Sequence, residues 1–212
     1  AAVAVSPDGE HVYVAGETDD AVAVFTRDAA TGGLTFVELK KDGLGGVDGL
    51  NGVRALALSD DGLHLYAAGA VDNAVAVFAR DAATGALTFV EAEIDGAGGA
   101  DGLAGASGVA VSPDGEHVYV SGETDSAIAV LARNPVSGAL TPLPAGFDGV
   151  GGLDGLQGVL AVVVSTDGEQ VYAAGAGEDA LALLRRADGS RCTAAGIGSI
   201  VDTVDVVADG WL

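Results

Sequence analysis

Residues 6–38 read SPDGEHVYVAGETDDAVAVFTRDAATGGLTFVE, and this sentence is written four times. Its opening turn, Ser6-Pro7-Asp8-Gly9, returns as Ser59-Asp60-Asp61-Gly62, Ser112-Pro113-Asp114-Gly115 and Ser165-Thr166-Asp167-Gly168, each 53 residues after the one before. A fixed period of this length marks an array of equal supersecondary units. Most residues able to do chemistry therefore have copies one period away, which is unlike an enzyme site built once.

The second copy shows what one unit is. Apolar runs over 52–59, 63–69, 74–80 and 86–91 are separated by Asp60-Asp61-Gly62, by Val71-Asp72-Asn73 and by the turn from Asp81 to Gly85. Short runs with turn chemistry at every join predict a four-stranded antiparallel meander. Val and Ala interleave along the first and third runs, as expected of strands buried on both faces with close neighbours. No segment carries a helical stripe long enough to compete. Four-stranded sheets repeated radially make a β-propeller, with the first strand of each blade innermost. The predicted fold is thus all-β. Four blades start near residues 1, 53, 106 and 159 and fill 1–190, standing alone or as a segment of a larger propeller. Residues 191–212 break the pattern and are expected to be a degenerate last strand or the start of a following domain.

Four elements of the quoted string, namely its Ser-Pro-Asp-Gly turn, the Val-Tyr-Val strand, the Ala-Val-Ala-Val-Phe strand and the Asp-x-x-Thr-Gly-x-Leu-Thr hairpin, resemble the blade repeat of lactonase-type propellers, the 6-phosphogluconolactonase-like and YVTN-repeat families. The resemblance runs from residue 1 to about 186. It implies a propeller of roughly seven blades, where this chain has four, and it implies sugar-lactone hydrolysis as one candidate activity.

Composition narrows the partners. The net charge is −22 with only two lysines, Lys40 and Lys41. Nucleic acid binders need a basic stripe, so nucleic acid is excluded as a partner, and no apolar run is long enough to insert in a membrane. Aromatics make up only 5% of the chain, so Ala, Val and Leu must build the core. Cys192 stands alone, which rules out an internal disulfide and a cysteine-based zinc site. No positively charged leader opens the sequence as given.

Several candidate constellations follow the period. His11, His64 and His117 are ring-equivalent, with Gln170 in the fourth copy, and so are Tyr13, Tyr66, Tyr119 and Tyr172. Propeller geometry spreads such positions one per blade, so they are expected to pack blades. Arg27, Arg80, Arg133 and Arg186 end the third run of each unit and are expected to pair with turn carboxylates in exposed hairpins, worth at most about 1 kcal/mol. Arg54 lacks a repeat copy and reads as a solvated surface residue. The serines that open the turns are expected to satisfy local backbone rather than act as nucleophiles. No catalytic residue is assigned.

The best functional candidate is the glycine-rich loop between units. Asp42 and Asp48 recur as Asp95 with Asp101 and as Asp148 with Asp154. Asp19, Asp20, Asp72, Asp125, Glu178 and Asp179 from another loop fall on the same, top, face. Carboxylates and exposed carbonyls in a tight loop suit calcium, which takes six to eight oxygen ligands. Asp-Gly pairs are equally ordinary turn formers. Together these readings predict a non-catalytic binding or structural scaffold with an acidic loop face, secreted or on the cell surface. Its ligand would be a protein or a carbohydrate, it could associate with itself to complete a propeller, and it would need no cofactor unless these loops hold calcium. The rivals are the lactone hydrolase implied by the resemblance and a cell-envelope adhesion module.

Overall fold

A computed structural model of the chain describes residues 1–186 together with two short strands, Ile197–Gly198 and Val204–Asp205. The described residues contain strands and turns and no helix. Blade one is β1 (Ala2–Val5), β2 (His11–Gly16), β3 (Ala21–Arg27) and β4 (Leu34–Lys41). Blade two is β5 (Val53–Leu58), β6 (His64–Gly69), β7 (Ala74–Arg80) and β8 (Leu87–Ile94). Blade three is β9 (Ala106–Val111), β10 (His117–Gly122), β11 (Ala127–Arg133) and β12 (Leu140–Phe147). Blade four has β13 (Val159–Val164), β14 (Gln170–Gly175) and β15 (Ala180–Arg186), with the short strands β16 and β17 both antiparallel to β15. The expectation for 191–212 otherwise falls outside the described residues.

Each sheet is an antiparallel meander in chain order. The predicted strands are all present; the fourth runs on three residues further, to Ile94, past a register shift between Val77 and Phe78. The A–B turn is locked by its own residues. Ser59 Oγ accepts the His64 amide at 3.1 Å and donates to Asp61, Gly62 N closes onto Ser59 O, and Gly62 takes φ +69°. That φ is why glycine ends the motif.

The core lies between blades. Tyr13, Ala15, Val22 and Val24 of blade one pack against Leu65, Ala67, Ala76, Phe78 and Leu87 of blade two, under Val47 and Leu50 of the connecting loop. Alanines let adjacent sheets approach closely, and the same packing recurs at the next two junctions. The innermost strands β1, β5, β9 and β13 lie side by side in that order, and no comparable packing joins β1 to β13. The described blades therefore form an open arc. Exposure shows the same thing: Leu34 is 51% exposed, whereas its copy Leu87, covered by blade one, is 2% exposed.

Candidate functional site

The four arginines that end the third strands decide what the repeat is for. Arg80 is not an exposed hairpin residue: its side chain is 1% accessible, and it reaches back into the preceding blade. Its Nη2 lies 2.7 Å from Asp8 Oδ2 and 2.8 Å from His11 Nδ1, its Nε donates to the Tyr13 hydroxyl at 2.7 Å, and its Nη1 donates to the Gly62 carbonyl at 2.9 Å. Tyr13 in turn donates to the Gly85 carbonyl. Arg133 repeats every contact with Asp61, His64, Tyr66 and Gly115, and Arg186 meets Asp114, His117 and Gly168. The expected pairing within one hairpin is thus replaced by a buried latch across the blade boundary. The period hides this, because the acceptor set lies 67 to 72 residues upstream of its arginine.

Electrostatics follow from this geometry. Arginine offers only donors, so the facing Nδ1 must carry a lone pair and the imidazole is neutral. Burial, and then the Arg133 charge, push His64 below its ordinary value, and burial and Arg186 do the same to His117. Burial alone would raise the Asp61 carboxyl, but the Ser59 hydroxyl, the Leu63 amide and the Arg133 guanidinium outweigh it and hold it at about 2. His11, His64 and His117, with Tyr13 and Tyr66, therefore sit at blade junctions, one set to a junction, as their spacing predicts.

The acidic loops do converge. One carboxylate oxygen from each of Asp42, Asp48 and Asp72 lies within 4.8 Å of the others, and so do those of Asp95, Asp101 and Asp125, and of Asp148, Asp154 and Glu178. The loops also show what these acids already do. Four successive amides, Gly49, Leu50, Asn51 and Gly52, donate to Asp48, Asp42, Asp72 and Asp20 respectively. The next loop repeats this, with Asn73 in place of the last aspartate. Burial foremost, and neighbouring acids, raise Asp42 and Asp125. The first two triads are backbone staples, and in the third Asp154 and Asp148 take the Gly155 and Leu156 amides; the remaining carboxylate oxygens are the ones a hard cation could use.

A singular cluster sits at the axis. Arg54 is the second residue of β5, an innermost strand, at its top end. Its Nε lies 3.0 Å from Glu17 Oε1 and its Nη1 2.7 Å from Glu123 Oε2, bridging the B–C loops of blades one and three. The Glu17 hydrogen bond foremost, and Glu123, hold the guanidinium above its ordinary value despite partial burial. Beside it Ser107, the copy of Arg54 in β9, approaches Ser121 at 3.0 Å and donates to the Val159 carbonyl. Reading Arg54 as solvated surface missed this cluster. The available signal was asymmetry: where blades one and three carry glutamate, the copies in blades two and four are Ala70 and Ala176.

The model of the family "Lactonase, 7-bladed beta-propeller" matches residues 1–101, 46–145 and 104–202. The chain belongs to this lactonase family. Among solved structures it is similar to a candidate 6-phosphogluconolactonase of Bacteroides uniformis (TM-score 0.74, 21% identity, 96% of this chain and 53% of that one). It is similar to the periplasmic gluconolactonase PpgL of Pseudomonas aeruginosa (TM-score 0.61, 30% identity, 70% and 39%), and to a Lactobacillus plantarum protein (TM-score 0.71, 22% identity, 95% and 56%). No curated protein matches it. The chain spans about half the length of these solved chains, in keeping with four blades of a seven-bladed design. Arg54 has no repeat copy, and Glu17 and Glu123 occupy equivalent positions in blades one and three while blades two and four carry alanine there.

Proposed function

We propose that the protein contributes to a sugar-lactone hydrolase whose polar site is the axial mouth around Arg54. The observation that carries this reading is the cluster's singularity: in a lactonase-family propeller, a charged group with no copy stands at the top of an innermost strand, bracketed by two carboxylates. Lactone hydrolysis needs water activated against the ring carbonyl and a cation for the developing oxyanion. A glutamate takes a proton from water as its oxygen bonds to the carbonyl carbon. The ring C–O bond then breaks, and the proton passes to the departing ring oxygen to give the open hydroxy acid. Arg54 supplies the charge that stabilises the oxyanion, and the two glutamates fix its orientation. The test is turnover of glucono-1,5-lactone above its spontaneous rate. Arg54→Ala should remove the excess with folding intact, and a wild-type rate equal to background overturns the reading.

A second reading has its own observation. The three carboxylate triads recur on one face, which favours a non-catalytic scaffold whose loops take calcium. Such a scaffold would bind through its acidic face and leave the axial cluster without turnover.

A further inference from the structure

We propose that Ser107, held in place by Ser121, reads a substrate hydroxyl beside Arg54, so that the axial mouth prefers lactones carrying hydroxyl groups over plain ones; this rests on the lactonase reading above. Arg54 and Ser107 are both bulge residues. In β5, Val53 pairs with Gly69 and Ala55 with Ala68, and Arg54 between them is left out of the ladder. In β9, Ala106 pairs with Gly122 and Gly108 with Ser121, and Ser107 is left out in the same way. A bulge releases one side chain from the pleat and re-aims it. Here it does so at the top ends of two neighbouring innermost strands.

Blade three departs from the repeat at three positions that meet there. Ser107 stands where the other blades carry Ala1, Arg54 and Leu160. Gly108 replaces Ala2, Ala55 and Ala161, and Ser121 replaces Ala15, Ala68 and Ala174. The last two departures are one change. A Cβ at Gly108 would lie 2.7 Å from Ser121 Oγ, so the methyl lost at 108 makes room for the hydroxyl gained at 121. Ser121 is fully buried, and among the described residues its hydroxyl meets Ser107 Oγ alone, at 3.0 Å. A buried hydroxyl keeps its proton bonded, so Ser121 donates to Ser107. Ser107 has one proton of its own, and the Val159 carbonyl at 3.0 Å is nearer than the Ser121 carbonyl at 3.2 Å. With that proton engaged, the half-buried Ser107 oxygen is left with a lone pair, which the chain from Ser121 through Ser107 to Val159 fixes and polarises. A lone pair takes a donor. The hydroxyls of a sugar lactone are donors, and a plain lactone has none. Arg54 next to it offers donors only, so the two side chains read opposite groups.

The test is the ratio of kcat/KM for glucono-1,5-lactone to kcat/KM for δ-valerolactone, each measured with the 212-residue chain above the spontaneous rate. A serine with a merely structural role would leave this ratio alone. Losing one hydroxyl contact should cut it about three- to tenfold in Ser107→Ala. Ser121→Ala should cut it in the same direction, with circular dichroism unchanged in both variants. An unaltered ratio in either variant overturns the proposal. Calorimetry with glucono-1,5-lactam, which resists hydrolysis, separates the subsite from the activity. In a chain that turns over neither lactone, lactam binding about three- to tenfold weaker in Ser107→Ala keeps the subsite and removes the hydrolase. Lactam binding that is then absent, or equal in both proteins, removes the subsite as well.

Discussion

Replacing Arg80 by alanine removes one blade junction's polar device while leaving its apolar face in place. The loss can be worked from what is orphaned. The Tyr13 hydroxyl keeps its bond to the Gly85 carbonyl, and Asp8, 36% exposed, regains water. His11 Nδ1 and the Gly62 carbonyl stay inside without a donor. A buried acceptor left unpaired costs about 1–3 kcal/mol, so two put the loss at about 2–6 kcal/mol, a range centred on the cost of breaking a buried ion pair. For a chain of this length each kcal/mol moves the melting temperature by about 2–4 °C, which gives a fall of roughly 4–24 °C.

Arg54→Ala is the internal control. That side chain is 38% exposed and its two partners 45% and 40%, so its loss should cost no more than about 1 kcal/mol. Urea unfolding of both variants, followed by circular dichroism at one fixed protein concentration, makes the comparison. Should Arg80→Ala prove no more costly than Arg54→Ala, the latch would be ornament and the apolar faces alone would hold the blades.

Gly85→Ala should destabilise far more than Gly96→Ala. Both glycines have φ above +70°, but a Cβ at Gly85 would meet the His11 ring at 2.2 Å, while one at Gly96 meets nothing within 4 Å; thermal melts check the difference. Stability should fall as the pH drops from about 7.5 to 5.5. Burial first, and the facing arginine next, depress His64 and His117 below 6.5, against the opposing charges of Asp61 on one and of Asp114 and Glu116 on the other. The unfolded chain therefore takes up those protons first, so this stabilisation is complete above about 6.5 and is lost as the pH falls through the folded values. Replacing both histidines by glutamine, the residue at 170, should flatten the urea midpoint across that range. If the acidic triads take calcium, a hundredfold excess over its dissociation constant adds about 2.7 kcal/mol. Calcium should then raise the melting temperature beyond sodium chloride of equal ionic strength, and Asp48→Asn should blunt the gain. Equal melting temperatures would leave the loops as turns.

The fold was legible because the levels of the repeat point one way. Turn residues, strand length and Val/Ala alternation agree in the first three copies and through the third strand of the fourth, so strands such as Ala74–Arg80 fall where the pattern puts them. The serine's role in the turn was legible too, since its contacts lie within five residues. The arginine latch was not. Its partners lie 67 to 72 residues upstream in a neighbouring sheet, and the nearer carboxylate, Asp81, is an equally good pairing on paper. In the structure Asp81 instead caps the Ala83 and Thr84 amides of its own turn. The convergence of Asp42 with Asp48 could be read from spacing, but not the four-amide staple that employs them.

A repeated scaffold also changes where function should be sought. Residues present in every blade answer to a demand made at every junction, and here that demand is met: the histidines accept, the tyrosines relay and the arginines donate. Chemistry directed at one substrate has to come from what the copies do not share. Of the departures among the described residues, three besides Ser107, Gly108 and Ser121 bear on the axis and on the end of the arc. Arg54 stands where the other innermost strands carry Ser107 and Leu160. Glu17 and Glu123 stand where Ala70 and Ala176 stand in the other two blades. Gln170 replaces a histidine at the blade-four end. The first two meet in one cluster at the axis, and the third lies at an open edge of the arc. The asymmetric positions thus sort by place, two to the axis and one to the blade-four end of the described arc. Exchanging Arg54 with Ser107 should abolish any turnover even though the two strands are equivalent, because the loops that bracket position 107 carry Ala70 and Ala176 where those around position 54 carry the glutamates; turnover that follows the arginine would show that the glutamates are not used.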